Sequence, residues 1–205
     1  MTYYGLVIGL SYLIGSLPVG WLVGKIFYNK DIRQFGSHNI GATNVYRVFG
    51  LRPALLVFLL DAAKGVAGVY LGKLWLATPA GILLGGIAAL VGHNWSLLLK
   101  FKGGRGVATG LGIIIVLVPK VALVVFIVWL CIVYLTRYVS LASIVAAVLV
   151  PVLMWLFNAP YQYLIFGIIA VMFVIYRHRA NIERLLSGRE LKISRGQTQP
   201  ENKED

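Results

Sequence analysis

The chain has 205 residues, 59% of them hydrophobic and only 13% charged, with a mean hydropathy of +0.83 and a formal net charge of +12. Soluble domains run at about 45–50% apolar and about 25% charged, so a soluble domain carrying one anchor is excluded and a polytopic membrane protein is indicated. The single cysteine, Cys131, lies inside an apolar run, which leaves no disulfide framework and no cysteine-based metal site.

The first apolar run covers residues 3–24. It opens on MTYYGLVIGL, without the basic stretch of a signal peptide, and is predicted to stay as a helix. Its 22 residues make about 33 Å of helix, enough for a bilayer core. A polar segment, FGSHNIGATNVYR (35–47), follows. The second run, 53–74, carries Asp61 and Lys64 three residues apart on one helix face. Charges at membrane depth are rare; this pair is either an interhelical polar staple or a support for a functional site. The third run, 79–98, leads into GHNWSLLLKFKGGRGVATG (92–110). The fourth, 107–118, is too short to span alone and reads as a tilted or broken helix lining a cavity. Pro119 marks the turn into the fifth, 121–135, and runs at 138–157 and 161–176 complete the set. YRHRANIERLLSG (176–188) leads into the tail. The expected organisation is one all-α, seven-helix membrane bundle over residues 1–186, with a polar, solvated cytoplasmic tail at 187–205.

Cation placement sets the expected topology. Sixteen lysines and arginines fall in the segments after spans one, three, five and seven; Lys73 and Lys120 alone fall on the other side, and Lys64 lies within span two. The positive-inside rule then gives seven spans, with the N-terminus outside and the C-terminus in the cytoplasm. The charge excess therefore belongs to membrane topology, and no nucleic-acid partner is indicated. Glycine pairs four apart (Gly5/Gly9, Gly20/Gly24, Gly68/Gly72, Gly81/Gly85) fit close helix packing.

The three polar segments all fall on the predicted cytoplasmic side, where they can meet. In FKGGRGVATG, Gly103, Gly104 and Gly106 permit close backbone approach, and a helix starting near Val107 points free N–H groups into the turn. Lys100, Lys102 and Arg105 add full charges. A phosphate-bearing ligand suits this turn; a flexible loop meeting lipid headgroups is the competing reading. The Walker pattern is absent. Ser37, His38, Asn39, Thr43 and Asn44 supply short hydrogen-bonding side chains, and Arg47 a bidentate phosphate contact; a capped loop is the alternative. His178 and Asn181 share a helix face near Arg177 and Arg184, although a basic amphipathic end on anionic lipid has the same composition. His93 sits at the end of span three, as a structural residue or as a base. Nothing in the sequence has the spacing of a metal site.

GSHNIGATNVYR, DAAKG, GH…FKGGRGVATG and YRHRANIERLLSGRE follow one another in an order and spacing that resembles the bacterial acyl-phosphate glycerol-3-phosphate acyltransferases, the PlsY family. The match covers nearly the whole chain. It implies a seven-helix fold in the bacterial inner membrane with its site at the cytoplasmic face. It implies transfer of the acyl group of a fatty acyl phosphate to the 1-hydroxyl of sn-glycerol 3-phosphate, giving 1-acylglycerol 3-phosphate (lysophosphatidate) and inorganic phosphate. That reaction is the first acylation of phospholipid biosynthesis. No cofactor and no metal is implied; the partners are the two substrates, membrane lipids and an enzyme that produces acyl phosphate. Carried over by motif, Ser37, Arg47 and Arg105 resemble phosphate contacts, and Gly103 and Gly104 supply backbone donors. Thr43 resembles a substrate-orienting residue, and Asn44, His93, His178 and Asn181 resemble catalytic ones. One departure stands out: the family usually has lysine in GGKGVAT, where this chain has Arg105, so a planar fork replaces a compact ammonium.

Both substrates carry phosphate and one carries a lipid tail, which fits cationic segments at a membrane face. An activated acyl donor lets the protein act by orientation and charge stabilisation, with a substrate phosphate oxygen as proton acceptor and His93 or His178 as the competing base. The alternative function is a membrane transporter of a phosphorylated metabolite, although transporter sites lie nearer the midplane. An acyl-CoA-dependent enzyme of the H-x-x-x-x-D type is disfavoured, since His93 is followed at the fifth place by Leu98 and His38 by Thr43.

Overall fold

The computed structural model describes residues 2–193, and among them the secondary structure is helical throughout: ten α-helices and two single 3-10 turns. The first apolar run is not one helix. It breaks at Leu17–Pro18 into α1 (Thr2–Ser16) and α2 (Val19–Tyr28), because proline has no N–H to continue the ladder. The two together remain one apolar stretch of 26 residues, Tyr3–Tyr28. The short α3 (Ala42–Phe49) lies within the first polar segment and meets α4 (Leu51–Leu76) at Gly50, whose φ of 92° favours glycine. A threonine cap opens α5 (Pro79–Asn94): Thr78 Oγ1 accepts from the Gly81 N–H at 3.1 Å, and Pro79 occupies the first turn, where no N–H is needed.

Beyond the glycine loop, α6 (Val107–Leu117) is an 11-residue apolar helix, as short as the sequence predicted. Pro119 starts α7 (Pro119–Thr136) from its first turn. Then come α8 (Val139–Leu156), α9 (Tyr161–Arg177) and α10 (Arg179–Leu186), the last turned 62° from α9. Among the described residues five stretches are long and apolar enough to cross a membrane, and a sixth is the bent pair of α9 and α10 if it counts as one.

Backbone-to-backbone contact at glycine holds α4 at the centre. A Cβ on Gly85 would lie 2.0 Å from the Gly68 carbonyl oxygen, and one on Gly72 2.2 Å from that of Gly81, so α4 and α5 touch along both predicted glycine pairs. Gly65 and Gly112 do the same between α4 and α6, and Gly15 and Gly92 between α1 and α5. The other two predicted pairs differ. Gly20 packs on the Ile40 carbonyl of the first polar segment, and Gly5 and Gly9 have nothing within 4 Å of a built Cβ. Two apolar cores result. One joins α5 to α9 around Ile113, Met154 and Phe166; the other sits under the first polar segment, around Ile32, Val45 and Val57.

The sequence treats residues from Ser187 onward as a solvated tail, and for 189–193 this does not hold. Glu190 is buried, the Leu191 carbonyl accepts from Arg47 at 2.9 Å, and the Ile193 N–H donates to the Arg137 carbonyl at 2.8 Å. The remainder of that tail, 194–205, lies outside the described residues.

Candidate active site

Asn44 organises the first polar segment. Its Nδ2 reaches the carbonyls of Ile32 (3.2 Å), Phe35 (3.0 Å) and Asn39 (2.8 Å), and its Oδ1 accepts from the Ser37 N–H at 2.8 Å. One buried amide thus closes a loop of thirteen residues, too polar to fold by burial alone. Nearby, hydrogen bonds from Arg33 hold the Asp31 carboxyl well below the usual carboxylate range and fix the loop's entry. Asn44 was expected to act on substrate; its amide is engaged within the loop, where it holds the Ser37 backbone.

Arg177 shapes the glycine loop. Its guanidinium donates to the Gly103 carbonyl at 2.8 Å and to the Gly104 carbonyl at 2.7 and 3.0 Å, and lies 5.6 Å from the centre of the Trp95 ring. Two of the N–H groups expected to be free are bonded back to the end of α5. Gly103 N–H donates to the Asn94 carbonyl at 3.2 Å and Gly104 N–H to the His93 carbonyl at 2.9 Å. Glycine is required here for proximity: a Cβ on Gly104 would lie 2.1 Å from His93 Nε2, and one on Gly103 2.1 Å from the His93 carbonyl oxygen. The loop turns back on the end of α5, and the charge it presents to the interior is Arg105.

In the third segment the His178 Nδ1–H donates to the Val174 carbonyl at 2.8 Å, since a carbonyl only accepts, and Nε2 is left with its lone pair. Beyond the end of the apolar run, burial first and then the nearby Arg105 charge push the His178 imidazole down to about 4, so it is neutral at neutral pH. Asn181 does not reach the cavity. Its Nδ2 donates to Glu190 Oε1 at 2.6 Å, while Arg184 Nε holds Oε2 at 2.8 Å. Asn181 therefore positions Glu190, a residue the sequence reading left in the tail. The signal was an acidic side chain within a run of cations.

These pieces enclose a cavity of about 360 Å³ at one end of the bundle. Seven of the ten predicted site residues line it: Ser37, Thr43, Asn44, Arg47, His93, Arg105 and His178; Glu190 and Asp61 join them, while Gly103, Gly104 and Asn181 stand behind the wall. Two guanidiniums face it with donors to spare. Arg47 is 5% exposed, with Nε unpartnered. Arg105 makes no hydrogen bond among the described residues; burial lowers it to about 10, opposed by Glu190 and assisted by repulsion from Arg184, Arg47 and Arg177, and it stays charged at neutral pH. Of the two carboxylates on the wall, Asp61 is paired with Lys64 and Glu190 with Arg184, so Arg47 and Arg105 leave the cavity cationic and suited to an anion. A second, almost wholly apolar cavity of about 100 Å³ shares Phe58, Arg105, Gly106, Val107, Trp129 and Ser143 with the first. Together they can hold a phosphate at one end and an aliphatic chain at the other. Among the described residues no group of three or more His, Cys, Asp or Glu side chains is close enough to hold a metal ion.

A sequence model of glycerol-3-phosphate acyltransferases matches residues 5–188 of the chain. The chain belongs to the glycerol-3-phosphate acyltransferase family. A glycerol-3-phosphate acyltransferase of Desulforudis audaxviator is 47% identical over 189 residues, 92% of this chain and 95% of that one. The fold is similar to crystal structures of PlsY, an integral membrane glycerol 3-phosphate acyltransferase. The glycerol 3-phosphate form has a TM-score of 0.86 at 38% identity, over 93% of this chain and 96% of that one. The lysophosphatidic acid form has a TM-score of 0.83 at 38% identity, over 92% and 94%. Membership makes the chain a membrane-spanning acyltransferase, and the transporter reading falls away.

Proposed function

We propose that the protein transfers the acyl group of a fatty acyl phosphate to the 1-hydroxyl of sn-glycerol 3-phosphate, releasing lysophosphatidate and inorganic phosphate. The observation that carries this reading is the joining of two cavities at Arg105, one cationic and one apolar. The glycerol phosphate lies against Ser37, Arg47 and Arg105, and the acyl chain enters the apolar cavity past Phe58 and Trp129. The donor's phosphate meets the Thr43 and His178 side of the wall. The glycerol oxygen attacks the acyl carbonyl carbon and the carbon–oxygen bond to phosphate breaks. The hydroxyl proton passes to an oxygen of the departing phosphate, so no side chain need hold it. Catalysis then consists of orientation and neutralisation of growing negative charge in a site with little water. Gly103 and Gly104 act by shape, through the path they give the loop.

The similarity to structures titled as glycerol 3-phosphate and lysophosphatidic acid forms of an integral membrane acyltransferase supports the acceptor and the product. Charge distribution supports seven crossings of the bacterial inner membrane, the N-terminus outside and the cavity on the cytoplasmic side, with α6 and α9 as the short crossings. An acyl phosphate hydrolyses readily, which favours a supplying enzyme working close by. The test is purified protein in lipid with acyl phosphate and glycerol 3-phosphate. Phosphate release that depends on glycerol 3-phosphate is expected; release without acceptor, or none with both, contradicts the reading.

A further inference from the structure

Two charges inside the bundle take no part in the chemistry above. Asp61 and Lys64 on α4 are 3% and 5% exposed, with Lys64 Nζ 2.6 Å from Asp61 Oδ1. The Lys64 ammonium also donates to the Leu17 carbonyl, where the first span breaks ahead of Pro18. A staple between α4 and the first span needs nothing more. Yet Asp61 lines the large cavity, and so does His93 from α5. His93 Nδ1 lies 3.6 Å from Asp61 Oδ1, is buried, and has no hydrogen-bond partner. On the opposite edge of the ring, Nε2 abuts Gly104, the residue before Arg105.

We propose that Asp61 is a positioning residue for acyl transfer that acts through His93. The carboxylate fixes the proton on His93 Nδ1 and turns the Nε2 lone pair toward the glycine loop, and Lys64 is the counter-charge that keeps a carboxylate there. Two lone pairs facing each other at 3.6 Å would repel in so dry a place, whereas an N–H aimed at a carboxylate is attracted. The separation is longer than a formed hydrogen bond, so the attraction is that of a carboxylate for an N–H dipole aimed at it. The ring is thereby held against Gly104 and keeps the path of the loop that presents Arg105 to the cavity, while the transferred proton still leaves with phosphate. This rests on the acyl-transfer reading.

Two measurements test it. The chain has three histidines, so nitrogen NMR of 15N-histidine protein at neutral pH can be assigned by the signal missing from His93→Asn. A His93 proton on Nδ1 with bare Nε2 is expected; a proton on Nε2, or on both, overturns the proposal, whether or not any variant folds. Single removal of either charge strands the other, so the kinetic variant is Asp61→Leu with Lys64→Met, which removes both. Its kcat should fall about 10- to 100-fold, the size of loss known for carboxylates that orient metal-bound histidines. Adding His93→Asn should cost nothing further. An unchanged kcat in the folded double variant, or losses that multiply when His93→Asn is added, would overturn it. Should the wild type transfer no acyl group, the parent reading falls, while the tautomer result stands by itself.

Discussion

Arg105 carries more of the argument than any other side chain, because it borders both cavities and has no internal partner among the described residues. Arg105→Ala removes a charge-assisted phosphate contact worth about 1.5–3 kcal/mol, so kcat/KM should fall roughly ten- to a hundredfold. Arg105→Lys should retain much of the activity, since the charge stays. Equal kcat/KM in wild type and folded Arg105→Ala would remove the loop from the site. His178 makes a different prediction. Its folded value of about 4 lies below the ordinary 6.5, so the folded state prefers the neutral ring. The stability this supplies is fully present above 6.5 and is lost as pH falls from there through about 4. Thermal unfolding in detergent should weaken over that window in wild type and less steeply in His178→Gln; identical slopes would contradict the burial argument.

At the scale of elements, the site depends on segments that cover it from outside the apolar runs. Residues 189–193 pin Arg47 and Asn181 through Leu191 and Glu190. A chain ending after Gly188 should keep its membrane helices and lose most of its activity, whereas one ending after Ile193 should stay active. Full activity in the shorter chain, measured at matched folded protein, would refute this. Much of this level was legible in the sequence and some was not. Hydropathy located the apolar helices, since burial in lipid demands long apolar runs, but not the short α3 in the first polar segment. It did not locate the break at Pro18, where the apolar composition continues unchanged on both sides. The three polar segments named eight residues of the cavity wall, Asn39 among them, because phosphate chemistry calls for arginines and short polar side chains. Hydrogen-bond direction was beyond composition. Asn44, Asn181 and the two loop glycines look like ligand groups in sequence, yet their polar groups are bonded to neighbours that only the folded chain brings close.

For the whole molecule, topology and reaction are one question, since a cavity fed by a soluble phosphate must open on the side where that phosphate is made. Cysteines at Lys30 and Lys192, in a chain whose exposed Cys131 has been replaced, should be shielded from an impermeant external reagent in intact cells. Labelling of both from outside would reverse the orientation. The most direct test of the chemistry compares donors. Purified wild type and Arg105→Ala are given glycerol 3-phosphate with either acyl phosphate or acyl-CoA, without added metal, and lysophosphatidate and phosphate are measured together. With acyl phosphate, wild type should form one phosphate per 1-acylglycerol 3-phosphate, and Arg105→Ala far less of both. Robust turnover with acyl-CoA, or phosphate released without lysophosphatidate, would contradict acyl transfer from a phosphate donor in this cavity.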